Sequence, residues 1–215
     1  MRRIALALVV VFVSVTAAHA YTVVDFVTLD GVEYIRNSGE MGRPLERTDL
    51  RDELAVVAPG STLVVSRLPA GTRMYTVRGY AKSFRIAAVT VKDDEILLYQ
   101  AWRNASAKVG SDLYDIRGRV QSIDVRREPS PDPAKRKAVV IRAKADVERL
   151  ADMITSAPVA GALARSGSVP WYWLTFWLSD GTTFGRGFFP ETSQLTGGLT
   201  LPPEFQATLE RHLKD

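Results

Sequence analysis

Two Asp-Gly pairs, each set between runs of β-forming residues, restrict the fold of this chain more than any other feature. Asp and Gly tolerate the positive φ angles of a two-residue type I′ turn, so Asp30-Gly31 and Asp180-Gly181 each predict a tight antiparallel hairpin. The hairpins comprise Thr22–Leu29 with Val32–Arg36 and Trp171–Ser179 with Thr182–Phe189. At least part of the chain is therefore expected to form antiparallel sheet.

A proline-rich stretch divides the sequence. Residues 128–133 hold three prolines within five positions, which blocks both helix and central strand and favours an extended spacer. We therefore predict a β-rich module over residues 21–127, a linker over 128–137 and a second module over 138–215.

Further short strands are predicted in the first module. Asp49–Leu54 is polar and compatible with about one turn of helix. Val120–Arg126 is expected to close the sheet of this module. The other predicted strands are Ala55–Val57, Thr62–Val65, Met74–Val77, Phe84–Val91 and Ile96–Trp102.

Helical patterns flank the hairpin of the second module. Asp146 is a candidate N-cap for a helix that ends before Pro158, and Pro202-Pro203 begins a second helix. Their apolar stripes are Val147, Leu150, Ala151 and Ile154 in the first helix and Phe205, Leu209 and Leu213 in the second. The predicted fold class is α+β, with a mostly antiparallel β first module and a second module in which two helices pack on a β-hairpin.

The N-terminus has the three parts of a secretory signal peptide. Arg2-Arg3 precede an apolar run from Ile4 to Val13, and Ala18-His19-Ala20 forms a small-x-small cleavage site. The run is shorter than the roughly 20 apolar residues of a spanning helix. We therefore predict cleavage before Tyr21 and a periplasmic or secreted protein that is not held in the membrane. The chain has no cysteine, so packing rather than disulfides would stabilise it.

The charge of the chain does not favour a nucleic-acid partner. The formal net charge is +4, and it falls to +2 without Arg2 and Arg3, because residues 1–20 contain no acids. The densest group of bases surrounds the proline-rich stretch, where a solvated linker explains it more simply than a nucleic-acid interface. No nucleic-acid partner is predicted.

Two segments of the first module, LPAGTRMYTVRGY at 68–80 and FRIAA at 84–88, carry a resemblance. The pattern resembles uncharacterised exported bacterial proteins built from two modules. The resemblance implies a small secreted β-rich domain, and it carries no known activity and no site residues.

The second hairpin supplies the candidate binding site. With a two-residue turn, the cross-strand pairs on one face would be Trp177–Phe184, Thr175–Arg186 and Trp173–Phe188. The candidate binding residues are Trp171, Trp173, Trp177, Arg186 and Phe188. This face could stack sugars, dock a protein partner, or pack as core beneath the last helix or the first module. Burial is the simplest interpretation, because large aromatic residues dominate interiors. Gly185 and Gly187, on the other face, would leave room for the helix near Asp146.

Residues suited to catalysis are few. After signal removal the only histidine is His212, which we interpret as a partly exposed surface residue of the last helix. Two-histidine zinc sites and cysteine–histidine nucleophiles therefore lack their residues. Acidic groups around Asp49, at Asp93–Glu95 and at Asp112–Asp115 remain, and turn and cap roles account for all three. No catalytic residue, metal or cofactor is predicted.

Three hypotheses follow. The preferred one is a non-catalytic exported protein that binds another protein or a glycan of the bacterial envelope. The alternatives are a carboxylate-dependent glycan hydrolase and a structural envelope component without a small ligand. Two carboxylates facing each other across a cleft would favour the hydrolase.

Overall fold

Two antiparallel sheets dominate the structure, a computed structural model that describes residues 25–36, 42–58, 63–128, 138–161 and 171–214. The predicted signal peptide and residues 129–137 of the predicted linker lie outside the described residues. The division into modules therefore stays a prediction.

Seven strands form the first sheet. They are β1 (Phe26–Leu29), β2 (Val32–Arg36), β3 (Leu50–Val56), β4 (Val64–Val65), β5 (Arg73–Val77), β6 (Arg85–Val89) and β7 (Ile96–Asn104), in the order β3-β5-β6-β7-β2-β1-β4. The predicted turn at Asp30-Gly31 is confirmed, because both residues have positive φ angles (51° and 78°) and Leu29 pairs with Val32. The predicted helical turn at Asp49–Leu54 is wrong beyond its first residue, because β3 pairs with β5.

Six strands form the second sheet. They are β8 (Val120–Glu128), β9 (Val139–Ile141), β10 (Trp171–Leu178), β11 (Thr183–Phe189), β12 (Gln194–Leu195) and β13 (Leu199–Thr200), in the order β13-β12-β11-β10-β8-β9. The prediction that Val120–Arg126 closes the first sheet is wrong, because β8 pairs along its whole length with β10. Ile123 and Val125 are buried on the same face as Leu174 and Phe176, which this pairing brings into line.

Two short α-helices complete the fold, α1 (Lys144–Ser156) and α2 (Pro203–Leu213). The predicted apolar stripe of α1 is fully buried, and Phe205 and Leu209 of α2 are buried as well. Asp146 is not the N-cap, because α1 begins two residues earlier, after Ala143. No described helix is long and apolar enough to cross a membrane.

The predicted α+β fold class, with a hairpin packed by two helices, is wrong. The protein is mostly antiparallel β, and the β10–β11 hairpin is the centre of a six-stranded sheet, with β8 on one side and β12 on the other. These neighbours satisfy the outer backbone groups of the hairpin, which helices cannot do. The helix α1 packs beside β8, and α2 packs beside β9.

Two buried arginines join the sheets reciprocally. Arg85 of β6 is fully buried and donates to the Thr182 hydroxyl (2.6 Å) and the Thr183 carbonyl (2.9 Å) at the start of β11. Arg186 of β11 is 1% exposed and donates to the Ala101 carbonyl of β7 and to the Tyr114 hydroxyl. Burial lowers the pKa of Arg85 to about 10, which shows that placing this charge between the sheets costs free energy. The sheets are therefore held in one relative position by directional bonds.

Asp146 links the beginning of α1 to the end of α2. Its carboxylate pairs with Arg211 (2.6 Å) and contacts the His212 ring (2.9 Å). The His212 side chain is 22% exposed, so the prediction of a partly exposed residue on the last helix is confirmed. The hydrogen bond with His212 holds the pKa of Asp146 below its ordinary value, with a further contribution from Arg211. A carboxylate whose pKa is lower in the folded protein stabilises the fold at pH values above its unfolded pKa of about 4. This contribution is lost as the pH falls through the folded pKa.

Asp146→Asn is therefore expected to lower the free energy of unfolding by about 0.5–1 kcal/mol at neutral pH. Its difference from wild type should shrink as the pH falls below about 4. Urea denaturation at several pH values measures this. Asp152→Asn, on the same helix in an exposed ion pair with Arg117, is the control and should cost less. An Asp146→Asn deficit that stays constant down to acid pH would contradict the assignment.

Candidate functional site

The second hairpin has a different turn from the one predicted. The Leu178 N–H donates to the Thr182 carbonyl and the Gly181 N–H donates to the Leu178 carbonyl, both at 2.9 Å, so the loop contains three residues, Ser179–Gly181. Gly181 takes the left-handed conformation (φ 80°) typical of such loops. The cross-strand pairs are therefore Phe176–Phe184, Leu174–Arg186 and Tyr172–Phe188. A shift of one residue exchanges the two faces of β11 relative to those predicted.

The five predicted binding residues consequently lie on opposite faces of the sheet. Phe188 is fully buried on the inner face and packs against Phe205 of α2, with ring centroids 5.0 Å apart. Arg186 lies on the same inner face, among the rings of Tyr114 and Phe184. Trp171, Trp173 and Trp177 lie on the outer face, where all three are half-buried. Arg186 therefore does not stack on these indoles.

The glycines of β11 make room for the indoles rather than for a helix. A Cβ atom at Gly185 would lie 2.3 Å from Cζ2 of Trp173, so the indole ring covers this glycine. A Cβ atom at Gly187 would lie 3.2 Å from Cζ3 of Trp171. The indoles of Trp171 and Trp173 therefore rest directly on the β11 backbone, and their positions depend on glycine beneath them.

Contacts among the aromatic rings fix this arrangement further. Trp171 stacks on Phe189, with centroids 5.6 Å apart, and meets Trp173 edge to face at 6.1 Å. Trp177 donates from Nε1 to the Asp124 carboxylate at 3.0 Å. We call this surface, formed by Trp171, Trp173, Trp177 and Phe189, the outer aromatic face.

A row of polar side chains from β8 runs beside the indoles. In the register of β10 and β8, Trp171 pairs with Glu128, Trp173 with Arg126, Thr175 with Asp124 and Trp177 with Ser122. These polar residues are half-buried, and Arg126 bonds Glu128 at 2.7 Å. Sequence reasoning missed this row because it assigned β8 to the first sheet. The alternation of polar residues with Ile123 and Val125 was the available signal for a two-faced strand.

The acidic groups singled out from the sequence hold turns, caps and ion pairs. Asp49 accepts from the Arg43 guanidinium (2.7 Å), which holds its pKa below the ordinary value, and from the Glu46 N–H. Asp112 accepts from two backbone N–H groups at the start of a 3₁₀ turn. Four other members form ion pairs, which are Glu53 with Arg73, Asp94 with Arg47, Glu95 with Arg36 and Asp115 with Arg119. These carboxylates serve separate local roles.

Neither a metal site nor a similar protein points to a function. Within the described part of the chain, no group of three or more His, Asp or Glu residues is placed to hold a metal ion. Comparisons of the chain with family models, with curated proteins and with solved structures find no match. The function therefore has to be inferred from the surfaces of this protein alone.

Proposed function

We propose that this protein is a non-catalytic binding module, exported to the cell envelope, that binds a glycan polymer through the outer aromatic face. The observation that carries the proposal is the row of three half-buried indoles beside a row of hydroxyl, carboxylate and guanidinium groups. Predicted export from the N-terminal sequence agrees with a ligand outside the cytoplasm.

The chemistry of the two rows suits a sugar. Pyranose rings have an apolar C–H face that packs on indole rings and an edge of hydroxyls that both donate and accept hydrogen bonds. Asp124 and Glu128 carry acceptors and Arg126 carries donors, at the spacing of every second residue along one face of a strand. A protein-docking surface would instead be expected to have a core depleted of charged residues.

The indoles are also held in place before any ligand binds. Trp173 rests on Gly185, Trp171 stacks on Phe189 and Trp177 bonds Asp124. Side chains that are already ordered lose little conformational entropy on binding, which favours affinity. The local roles of Asp49, Asp112 and the paired acids favour binding over hydrolysis by a carboxylate pair.

Cosedimentation with insoluble peptidoglycan, chitin and cellulose tests the proposal. We expect the wild-type protein to pellet with at least one of these polymers. Trp173→Ala and Trp177→Ala should each weaken binding about tenfold or more, because stacking of a single ring contributes on the order of 1–1.5 kcal/mol. Each should cost only about 1–2 kcal/mol of stability, because the rings are half-buried.

Two further variants distinguish loss of ring stacking from loss of stability. Trp102→Phe removes the fourth tryptophan, which lies near Arg186 on the other side of the sheet, and should leave binding unchanged. Gly185→Ala keeps Trp173 but displaces its ring, and should weaken binding as Trp173→Ala does. Equal pelleting of all variants, or none by the wild type, would overturn the proposal. Release of soluble reducing sugar would identify a hydrolase instead.

A further inference from the structure

A cleft of about 520 Å³ lies between the first sheet and the turns of the second. One wall comes from the β1–β2 hairpin and the end of β7, and the other from the segment after α1 and the β12–β13 turn. The cleft is lined by Glu33 and Arg103 on the first wall and by Gly161 and Gly197 on the second. This volume falls within the roughly 300–1,000 Å³ of small-molecule sites, which often lie between structural units.

Glycine forms much of the second wall, where Gly161 and Gly197 lie beside Val159. Gly161 and Gly197 both have positive φ angles (91° and 101°). A Cβ atom at Gly197 would lie 2.4 Å from the Tyr114 hydroxyl, and one at Gly198 would lie 2.2 Å from the Gly161 carbonyl oxygen. Gly197 and Gly198 are therefore required by both conformation and space, whereas Gly161 is required by conformation alone. An added Cβ at Gly161 would meet no described residue within 4 Å, so a ligand can approach this part of the backbone closely.

The first wall carries two opposite charges side by side. Glu33 and Arg103 are cross-strand partners in the register of β2 and β7. The next pair is Tyr34 with Ala101, so Trp102 is an extra residue that forms a bulge in β7 beside the cleft. Neither Glu33 nor Arg103 has an ion-pair partner within 4.0 Å among the described residues.

We propose that this cleft binds a free α-amino acid. The α-carboxylate would take the Arg103 guanidinium, which is suited to bidentate bonds, and the α-ammonium would take the Glu33 carboxylate. An α-amino acid carries its two charged groups on the same carbon atom, which suits the neighbouring positions of Glu33 and Arg103. The site is distinct from the outer aromatic face, and its failure would leave the proposed glycan binding untouched.

Calorimetric titration of the whole protein with a panel of L-α-amino acids tests this site. At least one amino acid should bind. Its methyl ester, which lacks the carboxylate charge, and its N-acetyl derivative, which lacks the ammonium, should each bind about tenfold more weakly or worse. These derivatives probe the charge pairing without changing the protein.

Protein variants supply the second arm of the test. Arg103→Gln and Glu33→Gln should each weaken binding about tenfold or more, while Arg51→Gln on the exposed edge strand β3 should not. Melting curves identify any variant that fails to fold, and the ligand derivatives then decide. No binding by any amino acid, or equal binding of the amino acid and both derivatives, would overturn the proposal.

Discussion

Arg186→Ala is expected to lower the free energy of unfolding by about 3–5 kcal/mol. The Arg186 side chain is almost fully buried and donates to the carbonyls of Ala101 and Gly185 and to the Tyr114 hydroxyl. Its removal leaves a cavity between the sheets and takes the donor from buried carbonyl groups, and each loss is costly. Urea denaturation of the purified protein measures the change.

Matched variants distinguish the stability lost through the cavity from the stability lost with the hydrogen bonds. Arg186→Met refills most of the space and removes a buried charge, so it should cost about 1–2 kcal/mol less than Arg186→Ala. Arg127→Ala, an exposed arginine on β8, should change stability by less than about 0.5 kcal/mol. If Arg186→Ala were as stable as Arg127→Ala, Arg186 would not join the two sheets as described.

Gly110→Ala is expected to cost about 3 kcal/mol, at the upper end of overpacking effects. Gly110 is buried where a 3₁₀ turn crosses the end of α1, and an added Cβ would lie 1.9 Å from the Ile154 carbonyl oxygen and 3.2 Å from the Thr155 Cα. Both atoms belong to the backbone, so the end of α1 has to move. Thermal melting followed by circular dichroism measures the loss.

Gly79→Ala is the control for glycine replacement as such. Gly79 has a positive φ angle (81°), but an added Cβ meets nothing within 4 Å. Its cost should be limited to the backbone strain of about 1–2 kcal/mol. A Gly79→Ala variant that lost as much stability as Gly110→Ala would show that crowding against α1 is not the cause.

The same dipeptide gave a correct turn at one site and an incorrect one at the other. Asp30-Gly31 forms the predicted two-residue turn, which is set by local conformation. At the second hairpin, Asp180 accepts from the backbone N–H and hydroxyl of Thr182, and these bonds hold its pKa low despite the opposing effect of burial. Arg43, distant in sequence, also binds the carbonyls of Asp180 and Gly181. The sequence pattern contains no sign of that contact.

Sheet membership was harder to predict than strand position. The sequence located a strand at Val120–Arg126, within the observed β8, but the choice of β10 as its partner depends on non-local pairing. In the candidate site, too, the local pattern was predictable and the pairing of strands was not. Alternation placed Trp171, Trp173 and Trp177 on one face, whereas the assignment of Arg186 and Phe188 to that face depended on the turn length. The polar row on β8 became part of the site only through the observed pairing.

Acrylamide quenching of tryptophan fluorescence, with and without soluble fragments of peptidoglycan, chitin and cellulose in turn, tests the central claim most directly. Three of the four tryptophans lie on the outer aromatic face and are half-buried, so the free protein should be quenched to an intermediate degree. High concentrations of fragments of at least one polymer should reduce quenching clearly in the wild type and much less in Trp173→Ala. Quenching that is unchanged by high concentrations of the fragments of all three polymers would contradict glycan binding by the outer aromatic face.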